Sequence, residues 1–465
     1  MLSLFLELSG LLLALGMTLY LIGKRKEPQT ILAWSLSFFL FPFLGPLLYL
    51  LFGETRMEKY VRTRRSPTYI YYPEETGPRY IPDHPLHYYA SRVVLATQGF
   101  PPRPGNALKL YTNGEAFFTR MYGAFAEART SIHVMFYLIR DDATGREFLE
   151  ILEQKAREGV KVRLLYDYWG SLGFHFSRLR REFKGKILMA PFLPLVPWKP
   201  TLNLNFRNHR KIAVVDHTLA FTGGINIADE YRVGIWEGVP WHDLGVEVQG
   251  PAVRDLEQIF AEDWLFSTGE ALELKDFPPP LPEGTPIQVV AGGPDHRFEP
   301  LSHLLTTILS RCNKEATLIT PYFIPDTPLL HTFSTLVLRG VKVNLIVPEV
   351  GNHYWVQRAS ESYYRDLLAM GIQPWKFEPG MIHTKLFLSD GLLSLVGSPN
   401  LDIRSLKLNF EVALLLFAPR DLAEVQRVVE EVMEHASPLT LEEYSSWGLP
   451  RRILNGIARV MSPVF

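Results

Sequence analysis

Two long apolar runs open the chain. Leu2–Gly23 (LSLFLELSGLLLALGMTLYLIG) carries one charge, Glu7, and residues 31–52 (ILAWSLSFFLFPFLGPLLYLLF) carry none. A helix rises about 1.5 Å per residue, so each run would span roughly 33 Å, enough for the hydrocarbon core of a bilayer. Pro42, Gly45 and Pro46 fall inside the second run and predict a kink, which membrane spans tolerate. A cleaved secretory signal begins with positive charge, yet no Lys or Arg precedes Lys24. The expectation is a two-helix transmembrane hairpin over residues 1–53. Its turn carries Lys24, Arg25 and Lys26, and the segment after it carries Arg56, Lys59, Arg62, Arg64 and Arg65. The larger basic group favours a multi-pass anchor in the cell membrane with the body on the cytoplasmic side.

The pattern then changes. Residues 54–108 are rich in Pro and Tyr (SPTYIYYPEETGPRYIPDHP), which predicts an irregular linker, with regular patterning resuming near Leu110. Beyond it, a strand–helix–strand pattern occurs twice. IHVMFYLIR, GREFLEILEQKARE and GVKVRLLYD are echoed by TLITPYFIP, LLHTFSTLVLR and GVKVNLIVP. Such a repeat implies an α/β fold of two pseudo-symmetric, βαβ-rich halves packed face to face, 109–280 and 281–465, each with a largely parallel buried sheet.

A second repeat carries chemistry. HRKIAVVDHTLAFTGGIN at His209 matches HTKLFLSDGLLSLVGSPN at His383 without a gap. Five positions agree: His209 and His383, Lys211 and Lys385, Asp216 and Asp390, Gly223 and Gly397, Asn226 and Asn400. Residues i and i+2 of an extended strand face one side, so each His shares a site with its Lys. An imidazole, an ammonium and an amide donor suit a phosphate ester. They suit a metal poorly, because the Lys repels a cation and no thiolate or carboxylate ligand lies at suitable spacing. Two such sets on one phosphate allow one His to attack phosphorus and the other to protonate the leaving oxygen, while Lys and Asn hold the non-bridging oxygens.

Composition adds limits. Net charge is −1 with a pI near 6.9, so there is no overall basic excess of the kind a nucleic-acid binder carries. A single cysteine, Cys312, excludes an intramolecular disulfide and any thiolate-rich metal site. Apolar residues make up 47% of the chain, consistent with a globular protein that also seeks membrane.

The duplicated His-x-Lys-x4-Asp motif resembles the phospholipase D superfamily. RNHRKIAVVD, AFTGGINIADEY, TPYFIPD, MIHTKLFLSDG and GSPNLDIRSLKLNFE, together with the N-terminal hairpin, more narrowly resemble bacterial cardiolipin synthases. The resemblance implies metal-free, cofactor-free phosphatidyl transfer between two phosphatidylglycerols through a phosphohistidine, with release of glycerol. It makes His209 the nucleophile and His383 the acid, and puts Lys211, Lys385, Asn226, Asn400 and Ser398 on the phosphate. Gly224 stands where the second copy has Ser398. The partners it implies are phosphatidylglycerol and anionic bilayer lipids, with no nucleic acid; oligomeric state is left open. Rival acceptors are water (a phospholipase D) or another alcohol (a phosphatidylserine synthase). A nucleic-acid phosphodiesterase and an inactive scaffold are more distant readings.

Other residues have two readings each. Asp216 and Asp390 belong to the motif and hence to the catalytic set. However, each lies at the far end of an apolar strand, roughly 20 Å from its His, which favours a turn cap. Asp243 and Glu411 enter later strands and by resemblance orient the imidazoles; on spacing alone they are equally strand-end acids. Tyr137 and Tyr322 either line the site or pack the core. Arg404 either binds a headgroup or makes a surface salt bridge. Residues 187–198 (ILMAPFLPLVPW) either dip into lipid or pack on the core, and the C-terminal RRILNGIARVMSPVF is either an interfacial helix or docks on the body. His303, His331 and His353 show no ligand spacing.

Overall fold

The two copies of the strand–helix–strand pattern fold alike. The computed structural model describes residues 2–24, 28–52, 77–194, 206–296, 298–378 and 380–462. In the first half, Ser131–Phe136, Lys161–Asp167 and Leu188–Phe192 run parallel. Ile212–Val215, Leu219–Gly223, Gly245–Gln249 and Arg103–Tyr111 continue the sheet in antiparallel fashion. The second half repeats this order with Glu315–Ile319, Lys342–Pro348 and Pro374–Phe377 parallel. Leu386–Ser389, Leu393–Gly397, Glu411–Leu416 and Thr285–Gly292 are its antiparallel part. Arg103–Tyr111 pairs with Thr285–Gly292 and fuses both halves into one 15-stranded sheet. The sheets are thus mixed rather than largely parallel. The motif strands return directly as hairpins, and the three residues between Val215 and Leu219 are too few for a parallel crossover.

The helices of the repeat start in the same way. Asp142 caps Ala143–Arg157 by accepting the Gly145 N–H at 2.8 Å, and Asp326 caps Thr327–Leu338 by accepting that of Leu329 at 3.1 Å. Their apolar faces bury Phe148, Leu149 and Leu152 in one half, and Leu329, Phe333 and Leu336 in the other.

Regular structure begins well before Leu110. The segment read as an irregular linker contains the helix Pro85–Gln98 and the start of the strand Arg103–Tyr111. Pro85 occupies the first turn, where it opens a helix rather than breaking one, and Leu86, Ala90 and Val94 recur at helical spacing into the core of the second half. Residues 53–76 of that linker lie outside the described residues.

The N-terminal unit is one long helix followed by a broken one. Leu2–Gly23 is continuous, whereas the second apolar run forms Pro28–Leu40 and Leu44–Phe52. Among the described residues one helix, Phe5–Gly23, is long and apolar enough to cross a membrane. The break lies at Pro42, which cannot donate to the helical ladder. Small residues accommodate it. A Cβ on Gly10 would come within 2.8 Å of Pro42, and one on Gly45 within 2.5 Å of the Ser37 carbonyl. Tyr49 packs edge to face on Trp34 at 5.2 Å and on Phe38 at 5.7 Å, joining the two parts of the broken helix, and Phe38 and Tyr49 share a buried cluster with Ala14 and Leu21 of the first helix.

Both ambiguous apolar stretches are partly structural. Leu188–Phe192 is a strand at the edge of the sheet whose Phe192 packs on Phe266 and Phe410, while Leu188 stays exposed. Residues 195–198 lie outside the described residues. The C-terminal helix Leu449–Met461 docks through Arg451 and Asn455 on Glu361 and through Arg459 on Asp366. Its opposite face leaves Leu449, Ile453, Ile457 and Val460 exposed, so it both docks and presents an apolar stripe.

Asp216 and Asp390 cap chain reversals. Both adopt positive φ, 48° and 52°. Asp216 accepts the N–H groups of Arg129, Thr130 and Ser131 at 2.7–3.0 Å; Asp390 accepts those of Asn313, Lys314 and Glu315 at 2.8–2.9 Å. Burial pushes both carboxyls up, but the donated N–H groups outweigh it and hold them below the usual range. A depressed folded value stabilises above the unfolded pKa of about 3.9 and is lost as pH falls through the folded one. Asp216→Ala and Asp390→Ala should each cost about 1–3 kcal/mol at neutral pH, a gap that narrows below about pH 4. Denaturant unfolding of the purified chain in detergent measures this, and equal stability at pH 7 would refute the capping role.

Candidate active site

Each motif segment is held by the opposite half. The His209 N–H donates to the Phe410 carbonyl at 2.9 Å, and the Phe410 N–H donates to the Arg207 carbonyl at 2.8 Å. Conversely, Met381–Ile382 pairs with Trp241–His242, and the His383 N–H donates to the His242 carbonyl at 2.6 Å. Arg210, fully buried, ties the junction further: it donates to Asp263 at 2.7 Å and to the Glu411 and Gly292 carbonyls at 3.1 and 2.9 Å.

The side chains cross in the same way. His209 Nδ1 meets Glu411 Oε2 at 3.0 Å, and His383 Nδ1 meets Asp243 Oδ2 at 2.7 Å. Each imidazole is therefore oriented by a carboxylate from the other half, which leaves Nε2 as the nitrogen for chemistry. Each carboxylate in turn has its own support. Asp243 Oδ1 accepts the Leu244 N–H at 2.7 Å. Glu411 Oε2 accepts the Ser398 hydroxyl at 2.5 Å, and that hydroxyl accepts the Val412 N–H at 3.0 Å. Ser398, expected on the phosphate, is hydrogen-bonded to Glu411 in this structure. Gly224 has the complementary reason: a Cβ there would lie 2.1 Å from Asp243 Oδ1.

The lysines lie inside this frame. Lys211 Nζ donates to the His209 carbonyl at 2.7 Å and sits 5.5 Å from the Tyr137 ring centroid. Lys385 Nζ donates to the His383 carbonyl and lies 2.7 Å from its Nδ1. Burial lowers Lys211 to about 7 and Lys385 to about 8. Burial also lowers both imidazoles; on His383 the two lysines add to it, and on His209 Glu411 opposes it. Asp243 is pushed up to about 6 by burial. For Glu411 burial acts upward too, but His209, Lys211 and Ser398 outweigh it and leave the carboxyl below its usual range.

Asn226 and Asn400 are both buried. Asn226 accepts the Leu138 N–H at 3.2 Å and donates to the Tyr231 hydroxyl at 2.9 Å. Tyr137 presents its ring edge to His209 at 4.9 Å, and the Tyr322 ring lies 6.5 Å from that of His383. Both matching tyrosines therefore border the histidines. Arg404, on the helix Ile403–Lys407, interacts electrostatically with Asp402, Arg207, Tyr137 and Asp167. Asp216 and Asp390 cap turns beyond the strands and do not join the cluster. Sequence reasoning overlooked Trp241 and Tyr231, whose rings lie 5.0 and 5.5 Å from His383, and set aside His353, whose ring lies 6.1 Å from Tyr322. Trp241 could have been found, since it stands two residues before Asp243. Among the described residues no three His, Cys, Asp or Glu side chains converge to hold a metal ion.

The chain is similar to known proteins. A family model described as cardiolipin synthase, phospholipase D-like domain, matches residues 121–264 and 305–434, and one described as phospholipase D-nuclease N-terminal matches residues 12–54. The cardiolipin synthase of Geobacillus kaustophilus is 32% identical over 95% of this chain and 90% of its own length. Cardiolipin synthase A of Pseudomonas putida is 32% identical over 98% of this chain and 97% of its own. The crystal structure of phosphatidylserine synthase from Haemophilus influenzae superposes with a TM-score of 0.61 at 17% identity, covering 81% of this chain and 98% of that one, which shows a common fold.

The crossed pairs give a mutational signature. Glu411→Gln and Asp243→Asn should each lower turnover on the order of 100-fold or more, with little change in melting temperature. Gly224→Ser should do the same by displacing Asp243, whereas Ser398→Ala should cost only about tenfold. Steady-state turnover normalised to folded protein checks all four. Wild-type turnover in Gly224→Ser would contradict the steric argument.

Proposed function

This chain belongs to the phospholipase D-like cardiolipin synthase family, and we propose that it makes cardiolipin by moving a phosphatidyl group between two phosphatidylglycerols. It is an enzyme, a phosphatidyltransferase. The observation that carries the mechanism is the pair of buried histidines, each on a carboxylate from the opposite half.

His209 Nε2 attacks phosphorus of the first lipid while His383, protonated, gives its proton to the leaving glycerol oxygen. The P–O bond to glycerol breaks as the P–N bond forms. His383, now neutral, takes the proton of a glycerol hydroxyl on the second lipid. That oxygen displaces His209 from phosphorus and closes the cardiolipin phosphodiester. Lys211 and Lys385, together with Asn226 and Asn400, hold the non-bridging oxygens, where charge concentrates. Their burial supports this role, because an ammonium pushed toward neutrality gains most when an anion arrives. The apolar N-terminus supports a membrane setting, with two passes and the body on the cytoplasmic face.

Purified protein in phosphatidylglycerol vesicles should release cardiolipin and glycerol in equal amounts, detected by mass spectrometry. His209→Ala and His383→Ala should each abolish turnover, and EDTA should leave it unchanged. Phosphatidic acid as the sole lipid product would replace transfer by hydrolysis, and full activity in either variant would sink the two-histidine mechanism.

A further inference from the structure

The C-terminal helix Leu449–Met461 is docked the wrong way round for an ordinary surface helix. Such a helix turns its apolar stripe to the core and its polar face to water. Here the buried residues are Asn455 and Ala458, at 2 and 0% exposure, whereas Leu449, Ile453, Ile457 and Val460 are 68, 54, 48 and 82% exposed. Their spacing of four, four and three puts all four on one side of the helix. The docked side is mainly polar. Arg451 and Asn455 donate to Glu361 at 3.0 and 3.1 Å, and Arg459 donates to Asp366 at 2.9 Å. The Arg451 guanidinium lies 3.6 Å from the Trp447 ring centroid, and that of Arg459 lies 4.1 Å from the Tyr363 one. These contacts fix the helix with its stripe facing outward.

The element it docks on leads to the histidines. Glu361 ends the helix Tyr354–Glu361, and His353, the cap residue of that helix, has its ring 6.1 Å from that of Tyr322. Asn352 accepts the Tyr322 hydroxyl at 2.7 Å, and the Tyr322 ring borders His383. Eight residues of helix rise about 12 Å, so one short rigid element joins the seat of the stripe to the catalytic centre. Tyr354, exposed on the first turn of that element, adds a ring of the kind that settles at a membrane–water boundary.

The substrate says what covers the stripe. A phosphatidyltransferase draws its lipid from a bilayer, and phosphatidylglycerol makes that bilayer anionic. The C-terminal helix carries three arginines and no acidic residue. Arg451 and Arg459 are held by Glu361 and Asp366. Arg452, exposed next to Ile453 and one turn from Leu449, donates to the Ser445 carbonyl at 2.6 Å and makes no ion pair among the described residues. An outward apolar stripe edged by arginine fits an anionic membrane surface. A second copy of the chain fits less well, because four aliphatic side chains fall short of the roughly 800 Å² per partner that a stable interface buries. We propose that Leu449–Met461 is an interfacial helix, separate from the N-terminal apolar helices, that lays its stripe into an anionic bilayer and seats the His383 side of the site against the membrane supplying its lipid. This rests on the reading above only in taking a bilayer lipid as substrate, not in the acceptor.

The test offers the full-length protein phosphatidylglycerol in two forms, as vesicles and as a short-chain analogue dissolved as monomers. Consumption of phosphatidylglycerol is followed, which counts transfer and hydrolysis alike. The double variant Ile453→Glu, Ile457→Glu should lower consumption from vesicles on the order of tenfold or more and leave consumption of the monomer unchanged. Equal loss on both substrates, or no loss on vesicles, overturns the docking helix. Arg452→Gln should lower vesicle consumption about fivefold at low salt, a difference that fades at high salt, as expected for one charge at an anionic surface; no effect at low salt overturns the anionic partner. A direct reading needs no loss of function. A fluorophore on Ile457→Cys, with Cys312 buried and protected, should be quenched by nitroxide-bearing lipids in vesicles, and an unquenched fluorophore overturns the proposal even if the double variant fails to fold. A wild-type dimer in detergent that Ile457→Glu dissociates would assign the stripe to a second copy and overturn the bilayer as its partner. Vesicle consumption that keeps its dependence on the stripe but yields no cardiolipin would instead overturn the transfer reaction and leave the docking helix standing.

Discussion

Neither histidine is complete within its own half. His209 takes its orienting carboxylate from Glu411, and His383 takes its own from Asp243. This crossing constrains much else. It requires the two motif segments to lie against each other, which the backbone bonds from His209 to Phe410 and from His383 to His242 provide. It also requires the halves to keep a fixed relation, since imidazole geometry matters to a fraction of an ångström. The strand pair Arg103–Tyr111 and Thr285–Gly292 supplies that rigidity by making one sheet of two. Arg210 supplies it locally, bonding to Asp263 and to carbonyls at Gly292 and Glu411.

The two pairs are built differently where the motif copies diverge. On the Glu411 side Ser398 adds a hydroxyl donor, and the carboxyl sits below its usual range. On the Asp243 side Gly224 removes the side chain that would collide with the carboxylate, and burial lifts Asp243 to about 6. A shorter acid reaching from one side and a longer one from the other need different room, so a glycine and a serine occupy equivalent places. Burial lowers both imidazoles; the lysines lower His383 further, whereas Glu411 opposes the shift on His209.

Much of this arrangement was legible in the sequence, and the rest was hidden for physical reasons. The gapless motif repeat located both histidines, both lysines and the turn aspartates, because identical spacing reflects identical strand geometry. Periodicity located the strand–helix–strand units. It could not show that the motif strands fold back as hairpins, since a buried strand has the same apolar run in either direction. The helix Pro85–Gln98 was concealed by surrounding prolines and tyrosines, although Leu86, Ala90 and Val94 carry its spacing. The crossed carboxylates were out of reach of local pattern: Glu411 lies 202 positions from His209, and Asp243 lies 140 from His383. Only family resemblance suggested them. The bond from Ser398 to Glu411 was hidden for a related reason, because a hydroxyl beside a catalytic motif looks the same whether it serves substrate or carboxylate.

The motif aspartates gain a reason to belong to the motif without touching substrate. Asp216 binds the N–H groups that lead into Ser131–Phe136, and Asp390 binds those that lead into Glu315–Ile319. Each clamp fixes the motif strand against the first strand of its own βαβ unit, with Val215 opposite Ile132 and Ser389 opposite Ala316. A slip of one residue in that pairing would turn His and Lys to the wrong face of the sheet. The distance that makes aspartate unsuited to catalysis therefore suits it to register: seven residues away, at the other end of the strand, it decides which way the histidine points.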